Sequence, residues 1–542
     1  MSKVGLYLCE CGPNIAEAID LDRVAAEIEK DGKVAGVERF KLLCSEDGKK
    51  FLAGNIKERG YERIVIAACS PKQHQATFEH VIASAGLNAH VFQMVNIREQ
   101  CAWTTPDKEQ ATNKALRFIR AAVSRVRYHQ ALEQKEIECS PDAIVIGGGT
   151  AGIEAALRMA HKGRKVFVLE RNELGGTRPD REWTAARAGA LKENPLVEVY
   201  EHCRVSEVLG FFGSFVARLK TREDKEVEIK AGSVVLATGA VPFDPSGLAG
   251  YGYGELKGVS TVGEVEKSGI AAFMAGSPKS VAVIHCVGRE KLGYCSGTCC
   301  VEAMKVARSV KEASAGTEVT EFYRDLCLPG TADDRCYRET ADMGVRFVRF
   351  RDIEVSADGA RLAVKYRQED GTSGSMVADA VVLAAGVAAD PANAEVARMF
   401  NIGIDEHGFF QSEHPVLNPV GTVTEGVFAV GGCRGPSSAL DAATQAGAAA
   451  GKVLSALVPG RRLRLETRTS EVAEKRCVGC GLCVAACAYG AVTLDEMHHV
   501  AVVNEVLCRG CGNCAAACPS GAAQHRHFTA RQLDQEVAQV LR

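Results

Sequence analysis

The chain has 542 residues, a formal net charge of −3 and 22 cysteines. That length allows two to four domains, and that charge excludes a polyelectrolyte partner such as nucleic acid. A chain this long needs no disulfide scaffold, so clustered cysteines in a reducing compartment read as metal or redox ligands. No apolar run reaches 18 residues, and MSKVGLYLCECG places a cysteine-bearing strand where a signal peptide would place its apolar core. The expectation is a cytoplasmic protein without a membrane span.

Residues 1–133 read as a small α/β domain. Strands VGLYLC, ERIVIAAC and AHVFQMV alternate with helical stretches LDRVAAEIEK and HQATFEHVIASAG. Cys9 and Cys11 follow the first strand, Cys44 lies in KLLCSEDG, and Cys69 closes a strand in IAACSPKQH. Strand ends in an α/β domain can converge on one site, but this spacing leaves a cluster and scattered thiols equally open. Residues 111–133 are expected to form one amphipathic helix. Its polar side carries Lys114, Arg117, Arg120, Arg125 and Arg127, read as a solvated or domain-bridging face rather than an anion site.

A two-Rossmann region follows over residues 140–460. Its opening, DAIVIGGGTAGIEAALRMAHKGRKVFVLERNELGG, is a strand, a glycine turn, a helix and a second strand. Gly147, Gly149 and Gly152 form G-x-G-x-x-G, with Thr150 and Ala151 inside the turn. The glycines let a pyrophosphate approach the helix N-terminus, and Glu170 at the end of the second strand would bind ribose hydroxyls. Glu170, Arg171, Leu174, Gly175 and Gly176 continue as E-x3-LGG, which favours FAD over NAD. VVLATGA, with Thr238 and Gly239, resembles the return strand that closes an FAD domain of the thioredoxin-reductase-like kind, and VVLAAGV resembles its counterpart in the second half. GVFAVGGCRGPSSALDAATQAGAAAG, with Gly432, Cys433 and Ala439, resembles the segment over the flavin ring. Cys433 stands there in place of the usual aspartate.

The second half starts near Lys279. Where a second nucleotide turn would follow the strand SVAVI, the chain reads HCVGREKLGYCSGTCC. No G-x-G-x-x-G can be written there, so a second pyrophosphate has no seat. Cys286, Cys295, Cys299 and Cys300 instead offer four thiolates, which suit an iron–sulfur cluster or zinc. A redox disulfide or buried thiols are the alternatives.

Residues 470–542 contain CVGCGLCVAACA and CRGCGNCAAACP, an internal repeat of 31 residues from Cys477 to Cys508. C-x2-C-x2-C-x3-C twice is the bacterial two-cluster ferredoxin pattern, in which the fourth cysteine of each run reaches the other cluster. One [4Fe–4S] is therefore expected on Cys477, Cys480, Cys483 and Cys518, and a second on Cys508, Cys511, Cys514 and Cys487. Zinc is disfavoured, because its usual pattern is two separated C-x2-C pairs.

CECG, AACSPKQHQATFE, VNIREQCAW, GGGTAGIEAA, CVG…YCSGTCC, GGCRGP and the ferredoxin tail together resemble the HdrA family of heterodisulfide reductases, nearly end to end. The resemblance implies one FAD and several [4Fe–4S] clusters. It implies two clusters beyond the tail: one on Cys9, Cys11, Cys44 and Cys69, and one on Cys286, Cys295, Cys299 and Cys300. It also implies an oxidoreductase subunit that passes electrons between ferredoxin-type clusters, flavin and partner subunits, with flavin-based bifurcation in some members. Partners implied are HdrB/C-like subunits, a hydrogenase- or dehydrogenase-linked module, class II benzoyl-CoA-reductase-like subunits, and ferredoxin. Two departures bear on bifurcation. The extra ferredoxin-like insertion of full-length relatives is replaced by GGTRPDREWTAARAGALKENPLVEVYEHCRV, and the family's lysine after GP is Ser437. Cys327 and Cys336 receive no role. No catalytic side-chain set is visible, so the chemistry falls to the cofactors. Rival readings are a self-sufficient NAD(P)H–ferredoxin oxidoreductase and a non-enzymatic iron–sulfur scaffold.

Overall fold

The computed structural model describes residues 3–176 and 181–541. The chain divides into two compact units: Met1–Ile137 with Arg464–Arg542, and Glu138–Leu463.

The first unit is built on a parallel sheet of β1 (Val4–Cys9), β2 (Gly36–Phe40), β3 (Arg63–Ala68) and β4 (Phe92–Asn96), in the order β2-β1-β3-β4. The chain reverses its direction of winding between β1 and β3, so the crevice at the carboxyl ends of those strands is the natural site position. Strands β1 and β3 are apolar and almost wholly buried, as a sheet covered on both faces requires. Helices α1 (Leu21–Lys30), α2 (Glu46–Arg59), α3 (Pro71–Ser84) and α4 (Lys108–Val126) cover it.

The basic helix expected over 111–133 is α4, which starts earlier and stops at Val126. Asp107 caps its start by accepting from the Gln110 N–H at 2.8 Å. Its last carbonyls are taken by tight turns, Tyr128 N–H to Arg125 and His129 N–H to Val126. Arg120 pairs with Asp31 and Glu27. Arg125 is buried and bonds Glu536 at 2.7 Å and the His527 carbonyl at 2.8 Å. That arginine faces the C-terminal segment of the same unit, whose helix Ala530–Val540 packs along α4.

The second unit repeats one plan twice. Its first half has a parallel sheet in the order Val427–Ala429, Ser233–Leu236, Ala143–Ile146, Val166–Leu169 and Val197–Tyr200. Its second half has Val259–Thr261, Ala380–Ala385, Ser280–Val287, Glu318–Tyr323 and Arg346–Arg349. Each half carries a three-stranded antiparallel meander, Arg204–Ala231 and Asp352–Ala378. Ala240–Pro242 and Val387–Ala389 pair antiparallel where the halves join. The segment GGTRPDREWTAARAGALKENPLVEVYEHCRV includes residues 177–180, outside the described residues. It continues as the helix Arg181–Lys192 and the strand Val197–Tyr200.

Candidate flavin and iron–sulfur sites

In the first half of the second unit, the strand Ala143–Ile146 ends at Gly147 and α5 (Thr150–His161) begins three residues later. Gly147 has φ 109°, and a Cβ there would lie 2.2 Å from the Ala237 carbonyl oxygen. A Cβ on Gly152 would lie 1.8 Å from the Gly147 carbonyl oxygen. Only glycine permits this close turn. Gly149 caps α5 and has no neighbour within 4 Å of where a Cβ would stand, so the helix N-terminus faces open space. Glu170 accepts from the Gly148 N–H at 2.6 Å and from the Asn172 N–H at 2.8 Å, which fixes its carboxylate at the rim.

The cleft beside this turn holds about 970 Å³ of free space, its mouth included. Gly147, Glu170, Arg171 and Thr238 line it, and so do Asp390 and Asn393, which sequence reasoning missed. Arg171 pairs with Asp390 at 2.9 Å, and the Thr238 hydroxyl donates to Asn393 at 3.2 Å. These partners lie far apart in the chain, so no local pattern announces them. Gly175 donates its N–H to the Gly148 carbonyl at 2.8 Å, and a Cβ on Gly176 would sit 3.3 Å from the Gly149 Cα. Both glycines thus brace the turn rather than line the cleft.

Gly432 abuts the Gly239–Ala240 backbone. Cys433 is fully buried and donates to the Val430 carbonyl at 3.2 Å and the Leu236 carbonyl at 3.4 Å. Its thiol is therefore turned into the core. Ala439 opens the helix Ala439–Ala456, capped by Ser438 and Asp441. A dinucleotide fits this half: a deep cleft, a helix N-terminus free of side-chain atoms, and an acid at the second strand end.

In the second half the corresponding strand, Ser280–Val287, carries a bulge. Its pairing with Ala380–Ala385 shifts register between Ile284 and Val287, and Cys286 adopts φ 62°. Bulges re-aim side chains. Here His285 points into the core, where its Nε2 meets Glu321 at 2.7 Å with both residues fully buried. Cys286 Sγ faces the Asp325 carbonyl at 3.8 Å, and Cys300 Sγ faces the same oxygen at 3.9 Å. Cys299 and Cys300 open the helix Cys299–Ala313 and are buried, while Cys295 is exposed. The neighbouring Cys299 and His285 hold Cys300 well below the usual thiol range. The neighbouring Cys300, together with burial, pushes Cys299 up. Burial alone would depress His285; the field of Cys300 and the bond to Glu321 override that and push it up to about 10.

In the first unit, Cys9 ends β1, Cys11 and Cys44 follow β1 and β2, and Cys69 follows β3. All four stand at the carboxyl edge of the sheet. Cys9 lies in the field of Cys11 and Cys44, and Cys69 in that of Cys44. Burial pushes Cys9 up to about 11. Sequence reasoning missed Arg98 here. It donates to Cys11 Sγ at 3.4 Å, pairs with Glu99 at 2.8 Å, and stacks 5.0 Å from the Trp103 ring. Cys101 packs among aliphatic side chains of the core.

In the tail, Cys477, Cys480, Cys483 and Cys518 line one hollow of about 330 Å³, mouth included. That is the crossed set expected from the spacing. Apolar Val472, Leu494 and Ala501 complete its wall. Backbone N–H groups point at sulfur from Ala501 to Cys477 (3.4 Å), Ala523 to Cys518 (3.3 Å), Ala491 to Cys487 (3.3 Å) and Ser470 to Cys508 (3.4 Å). Cys508, Cys511 and Cys514 occupy the repeat-related positions. Cys514 donates to the Ser470 hydroxyl at 3.1 Å. A Cβ on Gly479 would lie 2.6 Å from the His499 carbonyl oxygen, and one on Gly510 would lie 2.5 Å from that of Arg468.

Among the described residues, no three Cys, His, Asp or Glu side chains gather tightly enough for a single metal ion. One zinc ion draws its thiolates to about 2.3 Å. A four-iron cube takes its ligands at separate corners, so cysteines spread around a hollow fit the cube better than they fit one ion. N–H donors aimed at sulfur suit thiolates on such a cluster.

Residues 141–450 match the pyridine nucleotide-disulphide oxidoreductase family, and residues 476–522 match the 4Fe-4S dicluster domain. A dinucleotide-binding flavoprotein core with a ferredoxin-type tail defines an oxidoreductase that uses FAD and [4Fe–4S] clusters. A CoB–CoM heterodisulfide reductase iron-sulfur subunit of the HdrA type from Methanopyrus kandleri is 30% identical, over 91% of this chain and 91% of its own. Its counterpart from Methanocaldococcus jannaschii is 31% identical over 98% and 97%. The corresponding subunit of the ferredoxin/F(420)H(2)-dependent CoB–CoM heterodisulfide reductase from Methanosarcina acetivorans is 32% identical over 91% and 75%. This chain belongs to the HdrA family of heterodisulfide reductase subunits. The Methanopyrus alignment runs over 600 positions, more than the 542 residues here, so that relative carries sequence this chain lacks. Among solved structures, thioredoxin reductases from T. acidophilum and Lactococcus lactis align with 58% of this chain, at 18% and 20% identity and TM-scores of 0.41 and 0.42. They are covered over 97% and 99% of their own length.

Proposed function

We propose that this chain is the electron-distributing subunit of a larger complex. FAD would be held by Gly147, Gly149, Thr150, Ala151, Gly152, Glu170 and Arg171. Four clusters would be held by the two crossed tail sets, by Cys9, Cys11, Cys44 and Cys69, and by Cys286, Cys295, Cys299 and Cys300. When bound, FAD exchanges two-electron for one-electron steps and the clusters carry single electrons. The chain's own part is to seat and insulate them. Glu170 orients the ribose, the N-terminus of α5 meets the pyrophosphate, and backbone N–H groups steady the tail sulfurs.

The observation that carries this reading is the pair of matched strand–turn–helix units, one glycine-lined and one cysteine-lined. Relatives named for CoB–CoM heterodisulfide, ferredoxin and F(420)H(2) point to a terminal substrate on a partner protein and to ferredoxin as one electron partner. Among the described residues no helix is long and apolar enough to cross a membrane. The reading places the chain in the cytoplasm, where thiols stay reduced and available to iron.

Iron and FAD per chain after anaerobic purification test the reading. Four cubanes predict about sixteen irons beside one FAD. About eight would confine the clusters to the tail and sink the reading for the other two sites. Direct bleaching of the flavin by NADH would favour the self-sufficient reductase instead.

A further inference from the structure

A fifth thiol, which the spacing of the four does not reveal, approaches the turn after Ser280–Val287 from another loop. Cys327 lies in the loop between the strand Glu318–Tyr323 and the helix Thr331–Asp342. The Asp325 carbonyl is shared by Cys286 and Cys300. Cys327 lies in the field of Cys295 and Cys300. A Cβ on Gly297 would stand 3.7 Å from Cys327 Sγ.

A four-iron cluster has four corners for five thiols. Cys299 and Cys300 are fixed by the helix they open, and Cys286 by the bulge. Cys295 is the exposed member of the set, between Gly293 and Gly297, both at positive φ. Cys295 and Cys327 therefore compete for one corner. We propose that Cys327 is an exchangeable ligand of this metal centre, taking the iron that Cys295 releases. This rests on the reading of Cys286, Cys295, Cys299 and Cys300 as a cluster site.

In the exchange, the Fe–S bond to Cys295 breaks and one to Cys327 forms. The proton on Cys327 Sγ passes to the released Cys295 Sγ by way of the solvent that reaches this exposed residue. No electron moves, and the centre keeps four thiolates and its charge. The iron at the exposed corner is thus the one that can open toward solvent or a partner without loss of the cluster.

The test compares C295A, C327A, the double variant C295A/C327A and C300A, all purified anaerobically as full chains. Iron per chain and the electron paramagnetic resonance of the reduced protein are read, with bound FAD as the check that the same unit is folded. C295A and C327A are expected to keep wild-type iron, with an altered signal in C295A. The double variant and C300A are each expected to lose about four irons, one cubane's worth. If C295A alone loses as much iron as C300A, Cys327 does not ligate and the proposal falls. If the double variant keeps the iron of C295A, another group fills the corner and the proposal falls. If C300A keeps all its iron, the cluster reading itself fails and takes the proposal with it. Should C295A lack FAD, C295S with and without C327A makes the same comparison at nearly unchanged volume.

Discussion

The two halves of the second unit share a scaffold and differ at one turn. In the first, three residues, 147–149, join strand to helix; in the second, eleven residues, 288–298, with the short helix Arg289–Leu292 among them, lead to the helix Cys299–Ala313. The short turn brings a helix N-terminus against a strand end, which suits a diphosphate met by backbone N–H groups. The long connection carries Cys295, with Cys286 before it on the strand and Cys299 and Cys300 after it at the helix start. Beneath it lies a buried His285–Glu321 pair, whereas the strand Ala143–Ile146 is wholly apolar. The crevice at a parallel sheet's carboxyl edge is thus a general seat, and the turn decides whether backbone N–H groups or thiols face it.

The largest expected effect breaks the first half alone. Gly152→Val places a branched side chain where even a Cβ meets a carbonyl oxygen at 1.8 Å, so the turn cannot close. The variant is expected to purify without FAD and with its iron unchanged, read from released flavin and iron per chain. A flavin-replete G152V would mean that the first half is not the seat.

The second effect strikes the second half. Glu321→Leu leaves His285 buried without its acceptor, and breaking one side of a buried pair costs about 3–5 kcal/mol. The double variant H285F/E321L removes both polar groups and is expected to recover most of that loss. Urea unfolding followed by flavin fluorescence measures both. Equal instability of single and double variants would show that packing, not charge, sets the cost.

The first half and the tail were legible because their chemistry is local. G-x-G-x-x-G with Glu170, and C-x2-C-x2-C-x3-C with glycines between, fix ligand and turn within one short segment. The Cys286–Cys300 segment was legible as four candidate metal ligands, but not the groups around them, because those come from elsewhere in the chain. Glu321 on the neighbouring strand and the Asp325–Cys327 loop arrive through the fold. Arg98 arrives the same way, 87 residues from Cys11. The grouping of Met1–Ile137 with Arg464–Arg542 was hidden for the same reason, since Arg125 and Glu536 are 411 residues apart.

Buried histidines carry the comparison into pH. In the first unit, burial depresses His129 to about 3 and His527 to about 4, and their rings stack 4.3 Å apart. Both are neutral in the fold, while the unfolded chain binds protons below about pH 6.5. Stability is therefore intact above that value. It falls with acid by about 1.4 kcal/mol per pH unit for each group until its folded value is reached. His285 runs the other way. Raised to about 10, it contributes fully below about pH 6.5, and the contribution is lost as pH rises through 10. Thermal unfolding read by cluster absorbance for the first unit and by flavin for the second should show acid weakening the one and alkali the other. H129F should flatten the acid limb.

The smallest expected effect asks whether the N-terminal cysteines behave like those of the second half. There a histidine and a carboxylate lie behind the thiols; here a guanidinium lies beside them, 3.4 Å from Cys11 Sγ. A cluster gains one negative charge on reduction, so a fixed cation within hydrogen-bond reach favours the reduced form and raises the potential. Removing it in Arg98→Met should lower the potential by on the order of 60 mV, a tenfold shift for one electron. Arg98→Lys should lower it less, because the charge remains while the fork to Glu99 and Cys11 is lost. A potentiometric titration followed by electron paramagnetic resonance reads both, with total iron as the control for cluster loss. If Arg98→Met retains its iron at the wild-type potential, the arginine is a packing residue stacked on Trp103, and the N-terminal site is tuned by burial of Cys9 and Cys69 instead.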